Sequence, residues 1–398
     1  MPLTLAGWLA HLEALHPRGS AGIELGLERV ATVKARLGQR ETCPVVLVGG
    51  TNGKGSTCAM LERILLAAGY RVGLYTSPHL LRYNERVRIN GVAADDAGLC
   101  AAFARVELAR GDAALTYFEF GTLAAWEVFA GADLDAVILE VGLGGRLDAT
   151  TAIAASVAVV TGVAMDHQAI LGDTLAKIAA EKAGIFRPGQ RVVIGASGEP
   201  AAVPVLIAAA RVAERTTVID DAAIARVPFV GLPGEHQRRN AAAAIAAVEH
   251  LGFPVEASAL AHVRHPGRFE RVGDVILDGA HNPHGAAALA AALDGPVTLV
   301  IGTSADKDAA GIAAALAPRC RHVIATRYQQ ERAMVPAQLA GCFAGAETAP
   351  DLATALARAR DLGGPIVIAG SLFLVGEARV LLLGAPADPV WVSDPPAR

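Results

Sequence analysis

Short apolar runs alternate with longer stretches of helical periodicity along the chain. "PVVLVGG" (44–50) is continuously apolar, as a strand buried on both faces requires. In the following "TCAMLERILLAAG", Met60, Leu61, Ile64, Leu65 and Ala68 share one helical face, and Gly69 stands where a C-terminal cap is expected. "RVGLYTS", "LDAVILEVG", "ASVAVVTG", "RVVIGA" and "TTVID" are further strand-like runs. This alternation predicts an α/β fold with a mainly parallel sheet covered by helices. "MPLTLAGWLAHLEAL" at the N-terminus predicts a short amphipathic helix.

The pattern restarts after "RHPGRFERV" (264–272). "DVILDGA", "VTLVIGT", "RHVIATR" and "PIVIAGS" supply four more buried strands with helical stretches between them. They suffice for a second, smaller α/β domain of Rossmann-like type. The boundary is expected near His265–Arg268, dividing the chain into 1–265 and 266–398. The closing "GAPADPVWVSDPPAR" is Pro-rich and is expected to fray.

Composition narrows the class. Of 398 residues, 53% are hydrophobic and 19% charged, the balance of a folded globular protein. A net charge of −4 gives no overall pull toward nucleic acid or an anionic membrane. No apolar run reaches the roughly 20 residues that span a bilayer. The N-terminus has no basic residue ahead of its apolar part, so it does not read as a signal peptide. The five cysteines (Cys43, Cys58, Cys100, Cys320 and Cys342) form no C-x-x-C pair. Reduced thiols in a cytoplasmic protein are expected, rather than a disulfide framework or a zinc site.

Candidate chemistry collects where predicted strands end. Lys54 follows the first strand, Ser77 the second, Glu140 ends the third and His167 follows the fourth. Ligands of open α/β sheets bind at that edge. "GGTNGKGST" (49–57) is close to the phosphate loop G-x-x-x-x-G-K-[ST] but departs from it: Gly55 follows Lys54, and the hydroxyls come at Ser56 and Thr57. A strand, a glycine turn with one lysine and a helix is nevertheless the context of a phosphate cradle. Structural readings stand beside the functional ones. Ser77 before Pro78 also reads as a turn residue, His167 as a polar loop residue, and Lys182 in "EKAGIF" as a helix-surface lysine paired with neighbouring acids. Glu140 ends an apolar strand, where a carboxylate must be paired, hydrated or bound to a cation. In "AHNP", Asn282 suits the cap of a helix beginning at Pro283.

Taken in order, "GTNGKGS", "YTSPHLLRYNERVRING", "ILEVGLGGRLDATT", "DHQAILGDTLAKIAAEKAGIF", "EHQRRNAAAAIAA", "HPGRFE", "LDGAHNPHG", "DKD" and "AGSLFLVGEAR" resemble the motifs of the Mur ligase superfamily. Within it, the resemblance is to folylpolyglutamate synthases and dihydrofolate synthases. It implies a P-loop-containing N-terminal domain and a smaller C-terminal α/β domain. It implies an ATP loop of Thr51, Asn52, Gly53, Lys54, Gly55 and Ser56, and two magnesium ions: one on Ser77 and Glu140, a second near His167 and a Lys182 carried as its carbamate. By the same resemblance Asn240 contacts adenine, Arg268 reaches the γ-phosphate, Asp278 contacts the nucleotide and His281 lies at the domain cleft. Lys54, Lys182, His167, Arg268 and His281 are then the catalytic set.

The implied reaction joins L-glutamate to a carboxylate through an acyl phosphate. Some relatives only extend reduced folates with glutamate; bifunctional ones also add it to dihydropteroate. Three segments resemble the pterin site of the bifunctional type: Gly22, Ile23, Glu24 and Leu25; Thr116, Tyr117, Phe118 and Glu119; and Arg146, Leu147 and Asp148. The aromatics read equally as core and Asp148 equally as a helix cap. Two departures stand out: "ATT" puts Thr151 where many relatives have Asn, and Ala305 directly precedes "DKD". A monofunctional folylpolyglutamate synthase remains open. Other Mur ligases carry an additional N-terminal domain, for which the segment before residue 44 is too short. A switch GTPase would need an N-K-x-D type motif, which is not found. The expected partners are small molecules (ATP, L-glutamate, dihydropteroate and reduced folates), acting on a cytoplasmic monomer with no nucleic-acid or membrane partner.

Overall fold

The computed structural model describes residues 1–15, 25–39 and 41–388. The chain is α/β and divides into two compact units. The first comprises Met1–Gly231, Gln237–Val263 and the final described residue, Asp388; the second comprises Leu232–His236 and Arg264–Ala387.

The first unit is built on eight strands: β1 (Val45–Gly49), β2 (Val72–Tyr75), β3 (Val87–Ile89), β4 (Val92–Ala93), β5 (Ala136–Glu140), β6 (Val157–Val160), β7 (Arg191–Ile194) and β8 (Arg215–Val218). Their order in the sheet is β4-β3-β2-β5-β1-β6-β7-β8. All neighbours are parallel except β2 with β3 and β3 with β4. Every residue of β1 and β5 is buried. Full burial of each Val, Leu or Ile side chain there contributes about 1.5–3 kcal/mol, which explains why these runs are continuously apolar. The chain leaves β1 toward β2 on one side and reaches β6 on the other. The C-terminal ends of β5, β1 and β6 therefore flank a topological switch point, the position where such sheets bind ligands. Val48 pairs with Glu140, which sets that carboxylate level with the end of β1.

The expected helices form. Leu5–Leu15 buries Leu5, Trp8, Leu9 and Leu12 at amphipathic spacing. The helix after β1 starts at Lys54, earlier than its apolar face begins, and Gly69 follows it in a left-handed conformation. Strands β3 and β4 are an addition to the apolar pattern. They form a hairpin turning at Asn90–Gly91, both with positive φ, the residue pair that tight hairpins favour.

The second unit carries β9 (Glu270–Val272), β10 (Val275–Asp278), β11 (Val297–Ile301), β12 (Cys320–Ala325), β13 (Glu347–Thr348) and β14 (Ile366–Ala369), in the order β13-β12-β11-β14-β10-β9. Only β9 is antiparallel. The expected four strands are the core of this sheet; β9 and β13 are short edges beyond them. The Pro-rich tail expected to fray is tied to the first unit at Asp388, and 389–398 lie outside the described residues.

Candidate active site

Beyond β1 the chain turns through residues 50–53 into the helix Lys54–Ala67. Gly53 has a φ of 86°, and a Cβ there would strike the Asn240 side chain, so the turn requires glycine. The loop is held from the far side by the segment leaving β6. Thr51 N–H donates to Gly162 O at 2.8 Å, and Thr51 Oγ1 accepts from Ala164 N at 3.0 Å. Thr161 Oγ1 donates to Asn52 O at 2.7 Å. Ser56 is buried and accepts from Gln237 Nε2 at 3.3 Å, so its hydroxyl serves helix packing. Asn240 is also buried: its Oδ1 accepts from Ser197 Oγ at 2.7 Å and its Nδ2 donates to Gln237 Oε1 at 3.1 Å. Nothing local in the sequence marks Thr161 or Gln237, whose partners Asn52 and Ser56 lie more than a hundred positions away, or Ser197, which meets Asn240 43 positions on.

Lys54 Nζ donates to the carbonyls of Gly50 at 3.1 Å and Thr51 at 3.2 Å. Lys182 Nζ donates to the same Gly50 carbonyl at 3.0 Å. The helix Leu175–Ala183, capped by Thr174, delivers Lys182 from its last turn into a buried position. Burial, and after it the charge of Lys54, pull the Lys182 ammonium down to about 7, against the attraction of Asp166 and Asp148. The surface-lysine reading of Lys182 is thereby excluded. The "GLGGRLD" loop reaches the end of this helix so closely that a Cβ on Gly145 would lie 2.7 Å from Glu181 O and 2.8 Å from Lys182 O.

Ser77 and Glu140 come together at the ends of β2 and β5. Ser77 N–H donates to Glu140 Oε2 at 3.1 Å, and the Ser77–Pro78 peptide is cis. Ser77 Oγ is buried without a hydrogen-bond partner in the structure. A buried hydroxyl oxygen beside a buried carboxylate is a hard-oxygen pair that suits magnesium. Among the described residues no three His, Cys, Asp or Glu side chains form a preassembled cage. His167 is half-buried with a left-handed backbone, its N–H on Asp166 Oδ1 at 2.9 Å and its Nε2 3.9 Å from the same oxygen.

The residues expected around a pterin have firm local duties. Thr116 and Glu119 form a capping box on the helix Tyr117–Ala130, and Glu119 also pairs with Arg29 at 2.9 Å. Tyr117 is buried, with the Arg86 guanidinium over its ring, and Phe118 packs near Tyr75. Asp148 Oδ2 accepts from Gly142 N at 3.0 Å and Leu143 N at 2.9 Å; its Oδ1 accepts from Thr150 N at 3.0 Å and Thr150 Oγ1 at 2.6 Å. Both oxygens thus organise their own loop, and burial pushes the carboxyl up from its usual range. Thr151, the departure from the family pattern, closes the same turn through Oγ1 to Asp148 O at 2.7 Å. Arg146 pairs with Glu181 at 2.9 Å, Leu147 is half-buried and Leu25 is exposed. Gly22, Ile23 and Glu24 lie outside the described residues.

In the second unit, Asp278 ends β10 and accepts from Phe269 N at 2.8 Å and Ala280 N at 2.9 Å. Burial raises its carboxyl, and the nearby Arg268 charge opposes that rise. Arg268 lies against Gly279 and donates to Gly267 O at 3.3 Å. His281 Nδ1 is 2.9 Å from Gly279 O. Asn282 caps the helix Pro283–Ala292, its Oδ1 accepting from Gly285 N at 2.8 Å, as the sequence led us to expect.

Residues 267–372 match the family model described as Mur ligase, glutamate ligase domain. The chain is 46% identical over 335 residues to the dihydrofolate synthase/folylpolyglutamate synthase of Escherichia coli K12, covering 77% of this chain and 78% of that protein. The structure of E. coli FolC in complex with DHPP and ADP superposes with a TM-score of 0.86 at 39% identity, covering 96% of this chain and 98% of the other. A bifunctional folylpolyglutamate synthase/dihydrofolate synthase with Mn, AMPPNP and L-glutamate bound superposes with a TM-score of 0.84 at 38% identity, with the same coverage.

Proposed function

Since the chain belongs to the dihydrofolate synthase/folylpolyglutamate synthase family of Mur ligases, we propose how its own residues divide the work of that chemistry. The activity is ATP-dependent addition of L-glutamate to 7,8-dihydropteroate and to reduced folates, with a divalent metal. Carboxylate and amine do not condense directly in water, because the carboxylate has no good leaving group. Phosphorylation supplies one. A carboxylate oxygen bonds to the γ-phosphorus of ATP as the bond to the β-bridging oxygen breaks, and ADP leaves. The glutamate nitrogen then bonds to the acyl carbon, gives up a proton, and phosphate departs.

The observation that carries this assignment is the orphan Ser77 hydroxyl beside Glu140, one strand away from the Lys54 loop. Lys54 and the N-terminus of its helix bind the phosphates, exchanging the Gly50 and Thr51 carbonyls for phosphate oxygens. Thr51, Asn52, Gly53, Gly55 and Ser56 shape that loop. Asn240 braces it from behind; adenine contact would require its amide to leave Ser197 and Gln237. Ser77 and Glu140 would hold one magnesium ion, and His167 with a carbamylated Lys182 a second. Bound there, the ions offset phosphate charge. Arg268 stabilises the transferring phosphoryl group, with Asp278 and His281 near the nucleotide. In this reading 1–265 binds ATP and pterin, the latter against Tyr117, Phe118 and the Asp148 loop, and 266–398 contributes the remaining groups.

Electrostatics support the carbamate. Only a neutral amine attacks carbon dioxide, and Lys182 is held near 7. The ammonium first loses a proton; attack by the neutral amine then forms an N–C bond and releases a second, so that a cation beside Lys54 becomes an anion. Carbon-13 bicarbonate should give a carbamate resonance that is absent in Lys182→Met; a spectrum without it would remove the modification. A cytoplasmic monomer completes the proposal; the five free cysteines support the compartment, and light scattering checks the mass. The assay that tests the function is ADP release dependent on glutamate, with dihydropteroate and with a reduced folate in turn. Release with the folate alone would leave a polyglutamate synthase, and release with neither would overturn the assignment.

A further inference from the structure

The loop that joins β2 to β3 carries Ser77 at its start. Its base is closed by Thr76 N–H donating to Arg86 O at 2.9 Å. Within it, four successive backbone N–H groups find carboxylate acceptors. Glu85 takes three of them: Leu80 at 2.8 Å, Leu81 at 3.0 Å and Arg82 at 2.9 Å. The fourth, from the buried Tyr83, donates to Asp388 Oδ2 at 2.7 Å. Asp388 also donates its own N–H to Leu81 O at 2.9 Å, and its Oδ1 lies 3.7 Å from Arg82 Nε. The loop sequence thus supplies three of the acceptors it needs, and a residue from the other end of the chain supplies the last.

We propose that Asp388 is a positioning residue for the Ser77 loop. Asp388, which belongs to the first unit, acts as a strap that completes the loop at Tyr83. A buried N–H without an acceptor is unfavourable, so loss of Asp388 favours loop conformers in which Tyr83 reaches water. The same backbone carries Ser77, whose N–H rests on Glu140; movement of one end of the loop shifts the hydroxyl relative to that carboxylate. The functional consequence rests on the assignment of Ser77 to magnesium.

The test compares wild type, Asp388→Ala, Asp388→Asn and Ser77→Ala in the full chain. Two quantities are read: the magnesium concentration for half-maximal ligase activity, and hydrogen exchange of the peptide covering 79–87. Asp388→Ala should raise the magnesium requirement roughly three- to tenfold, the scale of one net hydrogen bond, and should speed exchange in that peptide. Asp388→Asn keeps an acceptor for Tyr83 N–H and should restore most of both. Unchanged exchange in Asp388→Ala overturns the strap. Faster exchange with an unchanged magnesium titration, while Ser77→Ala shifts it, overturns the positioning role. If Ser77→Ala leaves the titration unchanged as well, the Ser77 metal reading has failed and this role falls with it, whatever the exchange shows.

Discussion

Lys54 and Lys182 meet on a single carbonyl, and two ammonium groups there would repel one another. The structure resolves this by burial, which holds Lys182 near 7. Below that pH Lys182 is charged and cannot carry a carbamate; above it the reactive neutral amine predominates. At fixed bicarbonate, turnover should therefore rise between about pH 6 and 8 through an apparent pKa near 7. Lys182→Met should lose about a hundredfold or more in kcat and show no such rise, and acetate should partly rescue Lys182→Ala. A Lys182→Met enzyme with a wild-type pH profile would contradict the assignment. Asp148 presents a different case, since all its acceptor contacts are donors of its own loop. Asp148→Asn would turn an NH2 group toward N–H or O–H donors and should cost about 1–3 kcal/mol of stability, read by denaturant unfolding. Asp148→Ala should lower kcat/KM for dihydropteroate more than for a reduced folate; equal losses would reduce Asp148 to a loop support. The two residues also differ in legibility. The motif marks Lys182, but its depressed pKa depends on which groups meet in space. Asp148 reads as cap or pterin contact with equal force until the loop donors are seen.

At the level of elements, the glycine pattern of "GLGGRLD" has a mechanical reason. Gly145 lets the loop pass within contact distance of the helix end that delivers Lys182, and the opposing atoms are backbone carbonyls that cannot rotate away. Gly145→Ala should therefore displace that helix end. Expected are a loss of about 1–3 kcal/mol in stability and a larger fall in kcat than in ATP affinity, read by unfolding and by steady-state kinetics. Unaltered kcat would mean that the helix end is more tolerant than this packing implies. The long apolar strands were legible because burial on both faces makes a run continuously apolar, and the helix Leu5–Leu15 because burial on one face imposes a period on the sequence. β13 has only two residues, too few for any period to show. The β3–β4 hairpin did carry a signal, Asn90–Gly91, that hydrophobic periodicity alone passes over. "TYFE" is likewise a capping-box spacing, T-x-x-E, that a search for a binding site overlooks.

Across the whole molecule, the proposed catalytic groups are divided between the two units. Lys54, Ser77, Glu140, His167 and Lys182 belong to the first, and Arg268, Asp278 and His281 to the second. Lys54→Ala and Arg268→Ala should each abolish turnover while leaving the thermal unfolding midpoint near wild type. Wild-type turnover in Arg268→Ala would confine the phosphoryl chemistry to the first unit. The account as a whole depends on the carboxylate being activated as an acyl phosphate before the amine arrives. Dihydropteroate labelled with oxygen-18 in both carboxylate oxygens tests this directly. One labelled oxygen per turnover should leave in inorganic phosphate, because the carboxylate oxygen that attacks the γ-phosphorus is the one expelled with it. Phosphate released without label during dihydrofolate formation would contradict the acyl-phosphate route.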